Sequence, residues 1–220
     1  MEVSSPQFTA QELIERNDRS KKIILWLGIV SIIMLFAGLT SGYVVRQGEG
    51  KWVQFQLPAM FLYSTLVILL SSITMWIATA SIKKGEVKKF KLALYLTFVL
   101  GLLFCVTQYF AWTELYSRGI AFSGTVGQIK GEVTYLQSRN ETLADVGTMG
   151  NVAGSFLYVI TGLHLVHLFI GIIAIFVVVS RASAGRYTST AHNGVIMAAI
   201  YWHFLDLLWV YLYLFLFYIR

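Results

Sequence analysis

Five apolar runs, each long enough to cross a bilayer as a helix, constrain this chain more than any other feature. A spanning helix needs ~20 such residues. The runs read at about residues 22–45, 58–82, 90–116, 151–180 and 194–219. The segment 198–217, Ala-Ala-Ile-Tyr-Trp-His-Phe-Leu-Asp-Leu-Leu-Trp-Val-Tyr-Leu-Tyr-Leu-Phe-Leu-Phe, is the most informative. It carries His203 and Asp206 inside the span. A carboxylate at that depth costs about 2.5–3.5 kcal/mol on insertion scales, so it is rarely there without a partner. His203 and Asp206 stand three residues apart and share a helical face. Trp202, Trp209 and Tyr213 add contact area, so this face is expected to look into protein.

Composition closes off the alternatives. Hydrophobic residues make up 57% of the chain and charged residues 13%, against about 25% charged in soluble domains. Barrel strands would show alternating segments of ~10 residues. The expected fold class is therefore all-α: a polytopic transmembrane bundle of five helices. The net charge of +6 gives no reason to expect nucleic acid, because the basic residues cluster beside apolar runs, as membrane topology requires. One cysteine, Cys105, builds neither a disulfide nor a cysteine metal site. The first 20 residues lack an apolar core and hold Glu2, Glu12, Glu15 and Asp18, so no cleavable leader is expected.

Residues 1–21 read as a polar cytoplasmic tail before a transmembrane domain at 22–220. Thr9-Ala-Gln-Glu12 matches a capping box, so either a short helix starts there or the tail is solvated. Gly38 and Gly42 form a Gly-xxx-Gly pair that would let another helix approach closely. Residues 83–91 hold five lysines. Residues 117–150 form one long loop rich in Gly, Ser and Thr, with Glu132, Glu141 and Asp145. Thr134-Tyr-Leu within it has short-strand character. Eleven Lys and Arg fall in the tail and the 2–3 and 4–5 connections, and six fall on the other side. The richer side is expected to be cytoplasmic. That places the N-terminus in the cytoplasm, the C-terminus and the long loop in the periplasm.

His164 and His167, at i and i+3 on the fourth helix, could ligate a metal or haem together with His203. They could equally hydrogen-bond across helices or to lipid headgroups. The second reading is preferred, since intramembrane polar residues more often join helices than bind cofactors. Copper or iron would also want more ligands than the chain offers. Asp206 and Glu114 are the carboxylates in or near spans, and they suit either a proton relay or structural pairing. Gln108 and Trp112 complete the polar and aromatic set on the third helix.

Two stretches carry a resemblance. Tyr201-Trp-His-Phe-Leu-Asp-Leu-Leu-Trp209 resembles the last-helix signature of subunit III of haem-copper respiratory oxidases. Residues 154–171, Gly-Ser-Phe-Leu-Tyr-Val-Ile-Thr-Gly-Leu-His-Leu-Val-His-Leu-Phe-Ile-Gly, resemble the preceding helix. Gln108 to Trp112 matches the end of the third. The resemblance implies an accessory subunit of the shorter, five-helix bacterial form, in the inner membrane of an aerobically respiring cell. It implies no redox centre in this chain, with haem and copper in partner subunits of a proton-translocating cytochrome c or quinol oxidase. The partners implied are chiefly subunit I, with subunits II and IV beside it, and membrane phospholipids held in a cleft between two helix groups. Support of proton uptake and stability during turnover is implied too.

Three departures accompany it. Ile32 stands where the family often has a glutamate. Ala111 precedes the aromatic of the third-helix motif where Glu is frequent, and Glu114 lies one turn on. The 117–150 loop is longer than usual for the short form and is a candidate surface for an electron donor or another subunit. His203 and Asp206 are expected to pair with each other or across to the fourth helix, and His164 and His167 to face the lipid cleft. The alternatives are a stand-alone haem- or quinone-binding cytochrome and, disfavoured by the lack of repeats, a small transporter.

Overall fold

In the computed structural model of this protein, residues 10–49, 52–125, 134–136, 150–189 and 191–219 are described. Five helices carry the fold: α1 Ala10–Gly48, α2 Met60–Lys83, α3 Val87–Ser117, α4 Val152–Ser183 and α5 Asn193–Tyr218. All five are long and apolar enough to cross a membrane. The protein is a multi-pass helical membrane protein.

α1 begins within the segment read as a polar tail and continues unbroken into the span. The reason is local. Residues 10–27 contain no Gly or Pro and are rich in Glu, Arg, Lys and Leu, which cost little in a helix. The capping-box residue Thr9 lies outside the described residues. α2, α3 and α4 end alike. The Glu86 N–H donates to the Ser81 carbonyl, Ile120 to Leu115, and Arg186 to Arg181. These are the six-to-one bonds of a Schellman stop, with a left-handed residue just past the helix. Gly85 at φ 76° fills that position after α2 and lets α3 start two residues later. Asn151 caps α4, its side-chain oxygen accepting from the Gly154 N–H at 3.0 Å.

α2 and α3 form the most extensive helix pair, and α5 packs against α1, α2 and α4. Half of the most apolar window of α5 is buried, against 22% of that of α1. So α5 is central, and α1 stands at the edge, resting on α4 and α5. Hydrogen bonds hold α1 to α5 near both ends. Asn193 Nδ2 donates to Asp18 Oδ2 at 2.7 Å, and Gln47 Nε2 donates to the Ile219 carbonyl at 2.8 Å.

At the Ile219 end, β1 Trp52–Gln54 pairs antiparallel with β2 Thr134–Leu136, with Val53 opposite Tyr135. The Thr134-Tyr-Leu segment is thus a strand, and it joins the 1–2 connection to the long loop. Glu132, Glu141 and Asp145 of that loop lie outside the described residues, as do Lys51, Lys130, Arg139 and Arg220 of the charge count.

The core runs the height of the bundle through Phe36, Ile68, Met75, Phe104, Leu168, Trp202 and Trp209. The outer faces are apolar and exposed, as a surface met by lipid or another membrane subunit must be.

Candidate functional site

Halfway along α5, polar side chains meet hydroxyl groups of α2 over two turns. Trp202 donates its indole N–H to Ser71 Oγ of α2 at 2.7 Å. Trp209, two turns on, donates to Thr65 Oγ1 of α2 at 3.1 Å. Between them His203 Nδ1 lies 2.7 Å from Ser72 Oγ. Each such bond satisfies two groups that hydrocarbon would strand.

Among the described residues His203 and Asp206 do not pair, and neither hydrogen-bonds to α4, contrary to the sequence expectation. The His203 ring turns to α2, whereas Asp206 turns inward and is 3% exposed. Three residues of helix separate two side chains by about 60° around the axis, enough to put them on different sides of a seam. The Ser72 hydroxyl also faces the Asp206 carboxyl, but neither carboxyl oxygen makes a hydrogen bond among the described residues.

The same divergence splits the two histidines of α4. His164 is fully buried, with the Trp209 ring 4.9 Å and the Phe104 ring 6.0 Å from its own. It faces α3 and α5, not the cleft in which it was expected. His167 does face a groove, beside Phe36 of α1 at 5.8 Å, and its Nδ1 lies 2.7 Å from the Leu163 carbonyl of its own helix. Gln108 is buried without a hydrogen-bond partner among the described residues, as is His164. Trp112 donates its N–H to Thr161 Oγ1 of α4 at 3.2 Å. Glu114 pairs at 2.5 Å with Arg118, the residue just past the end of α3, near the strand-bearing end.

The groove lies among α1, α4 and α5 and encloses about 680 Å³. Ile24, Gly28 and Ile32 of α1 face Ile170, Ala174 and Val178 of α4 across it. Lys21 and Arg181 stand at its mouth, with Tyr187; His167 and Tyr201 lie deeper. From Lys21 to Ile32 is ~16 Å of helix, about half the hydrocarbon thickness. Ile32, the position where a carboxylate was compared, is 8% exposed and lines this groove.

The close helix approaches differ from those expected. A side-chain carbon on Gly38 would meet nothing within 4 Å, and one on Gly42 only the Phe156 ring at 3.7 Å. Gly101 and Gly171 are the tight positions. A carbon on Gly101 would lie 2.7 Å from the Trp202 ring, and one on Gly171 3.0 Å from Leu205 and 3.3 Å from Trp202. Sequence reasoning passed over these glycines and over Ser71, Ser72, Thr65 and Thr161. The available signal was their position inside apolar runs, where small and hydroxyl residues join helices.

Five spans, a polar seam buried at mid-depth and an apolar exterior define a polytopic helical membrane protein whose internal polar groups lock its helices together. Residues 128–220 match the family model for cytochrome c oxidase subunit III. The chain is 28% identical over 193 residues to cytochrome c oxidase subunit 3 of Thermostichus vulcanus, covering 84% of this chain and 80% of that one. It is 26% identical over 203 residues to the probable subunit 3 of Mycobacterium leprae, covering 90% and 86%. Against subunit 3 of Latimeria chalumnae it is 32% identical over 159 residues, covering 72% and 49%. The chain belongs to the cytochrome c oxidase subunit III family.

Proposed function

We propose that this chain is the accessory subunit III of a haem-copper terminal oxidase in a bacterial inner membrane. The observation that carries the reading is its similarity to subunit 3 proteins along 84–90% of its length. The geometry supports it: Trp202, Trp209 and Trp112 commit their indole N–H groups, and His203 one ring nitrogen, to bonds between helices. The redox centres belong to partner subunits, chiefly subunit I. The lysine-rich end faces the cytoplasm by the positive-inside rule, and the strand-bearing end faces the periplasm.

The groove among α1, α4 and α5 holds a structural phospholipid, its acyl chain along Ile24–Ile32 and its phosphate near Lys21 and Arg181. Support of proton uptake by the catalytic subunit then runs without a carboxylate at position 32. His167 and Tyr201 are the polar side chains at that depth of the groove. By holding lipid and neighbour in place, the subunit protects the oxidase during O2 reduction.

Purification through a tag on this chain in mild detergent, with haem spectra and mass identification of what accompanies it, tests the reading. Haem-copper subunits are expected to co-purify, with all haem absorbance following them on separation. Haem that stays on this chain would establish instead a stand-alone cytochrome.

A further inference from the structure

His203 occupies an unusual place for a polar group. It sits roughly 15 Å from the start of α5, near the middle of the span, and it is not enclosed by the bundle. Helical periodicity puts His203, Leu207, Val210 and Leu214 on one face of α5. Leu205, away from this face, packs on Gly171 of α4, while Ser72 of α2 bonds His203 on one flank and Ile33 and Phe36 of α1 stand on the other. Leu207 on this face is 70% exposed. Trp76, one turn from Ser72 on the α2 flank, is 67% exposed. On the α1 flank, a cavity of about 350 Å³ opens beside Phe204, Leu207 and Tyr211.

The imidazole has two ring nitrogens. Nδ1 is engaged by Ser72 at 2.7 Å, and Nε2 bonds to none of the described residues. Facing acyl chains, that nitrogen would have no partner, because hydrocarbon offers no hydrogen bond. One turn behind it, Asp206 keeps its carboxyl buried next to Ser72, with no hydrogen bond among the described residues. Intramembrane polar side chains face protein or a watered cavity, not lipid.

We propose that the outward face of α5, between α1 and α2, seats a transmembrane helix of another subunit, which offers a hydrogen-bonding side chain or free carbonyl to His203 at mid-bilayer. The cavity beside Phe204 and Tyr211 receives large side chains of that helix. An acyl chain fills the same volume but leaves Nε2 bare, so protein is the occupant. The inference rests on the accessory-subunit reading for the existence of a partner, and it adds the face and the contact.

The test places a photo-crosslinking amino acid at Leu207, or at Val99 on the outer side of α3, in the tagged full-length chain. Native membranes are irradiated and the adducts are identified by mass. Leu207 is expected to trap a haem-carrying multi-pass subunit, and Val99 is not. In parallel, His203→Leu is expected to lower the haem retained on the tagged chain about fivefold, the worth of one membrane hydrogen bond. His203→Gln, which can still bond, is expected to stay within about twofold of the parent chain. Adducts from Leu207 to lipid alone or to a second copy of this chain would overturn the proposal. So would trapping of the haem subunit from Val99 and not from Leu207, or unchanged retention in His203→Leu. A tagged chain that brings no haem subunit in any form would instead sink the accessory-subunit reading, and this proposal with it.

Discussion

Trp202 reaches three other helices from α5. Its N–H bonds Ser71 of α2, and its ring lies against Gly101 of α3 and Gly171 of α4. Trp202→Phe keeps most of the ring and removes the donor, leaving the Ser71 hydroxyl buried without it. Double-mutant cycles put such intramembrane bonds at about 0.6 kcal/mol, rising to about 1.7 kcal/mol. The expected loss in detergent unfolding is about 1 kcal/mol. Ser71→Ala should lose a similar amount, and the double variant little more than either, since both remove one interaction. Additive losses would show that the bond contributes nothing. Gly101→Ala tests packing at the same place. Its new carbon would lie 2.7 Å from a ring that is itself held by Gly171, so the variant should lose about 1–3 kcal/mol. Gly38→Ala, with open space around it, should be neutral within about 0.5 kcal/mol. Equal effects at the two positions would refute the packing argument. Here the sequence was only half legible. It marks both glycines as small, but which one faces a tryptophan depends on how far each helix is turned about its axis, and that is set by all the neighbours together. His164 leaves the cleft for the same reason: a shift of about 60° sends it into the core, whereas His167 lines the groove.

At the scale of elements, the helices were the most legible part, because apolar length is a property of the segment alone. The pairing of Trp52–Gln54 with Thr134–Leu136 was much harder to read. Three-residue strands have almost no periodicity, and their partners are some eighty residues apart. What fixes this pair is tertiary. Trp52 is buried, with its ring edge-on to Tyr43 of α1 at 4.6 Å and near Phe156 of α4 at 6.3 Å. Strand β1 is thereby pinned to two helices and offers its edge to β2. Trp52→Ala removes that anchor. Truncation of a buried aromatic typically costs about 3–5 kcal/mol, and the loss should fall on the strand-bearing end. Limited proteolysis should then cut within residues 117–150 at least several-fold faster than in the parent chain, while the spans survive. Unchanged cleavage would mean that the loop is held by other contacts.

For the molecule as a whole, the groove is where the bundle is incomplete. α1 is fastened to α5 near both ends, yet in its lysine-rich half it stands away from α4 far enough to leave about 680 Å³. Ile24, Ile32, Ile170 and Val178 line it, and empty apolar space forfeits dispersion contacts on every wall, which favours the proposed apolar occupant. Its depth matches one leaflet, and its mouth carries two cations. Lys21 is only loosely engaged, 3.7 Å from Asp18 on its own helix, and Arg181 is exposed. These features agree with the proposal that the groove takes an anionic phospholipid of the lysine-rich leaflet. Each basic residue near a membrane surface contributes about 1 kcal/mol toward anionic lipid. The double variant Lys21→Ala, Arg181→Ala should therefore weaken retention roughly thirtyfold, read by native mass spectrometry of the purified chain in a lipid titration. Raising the salt should mimic the variant in part, because the mouth is open to screening. Gly28→Phe approaches the same site from the apolar side. Its ring would enter the groove from a position with nothing within 4 Å, displacing the acyl chain without touching either cation. Loss of lipid in both variants would show one molecule held at head and tail. Loss in Gly28→Phe alone would mean the headgroup is not recognised, and retention in both would place the lipid elsewhere on the bundle.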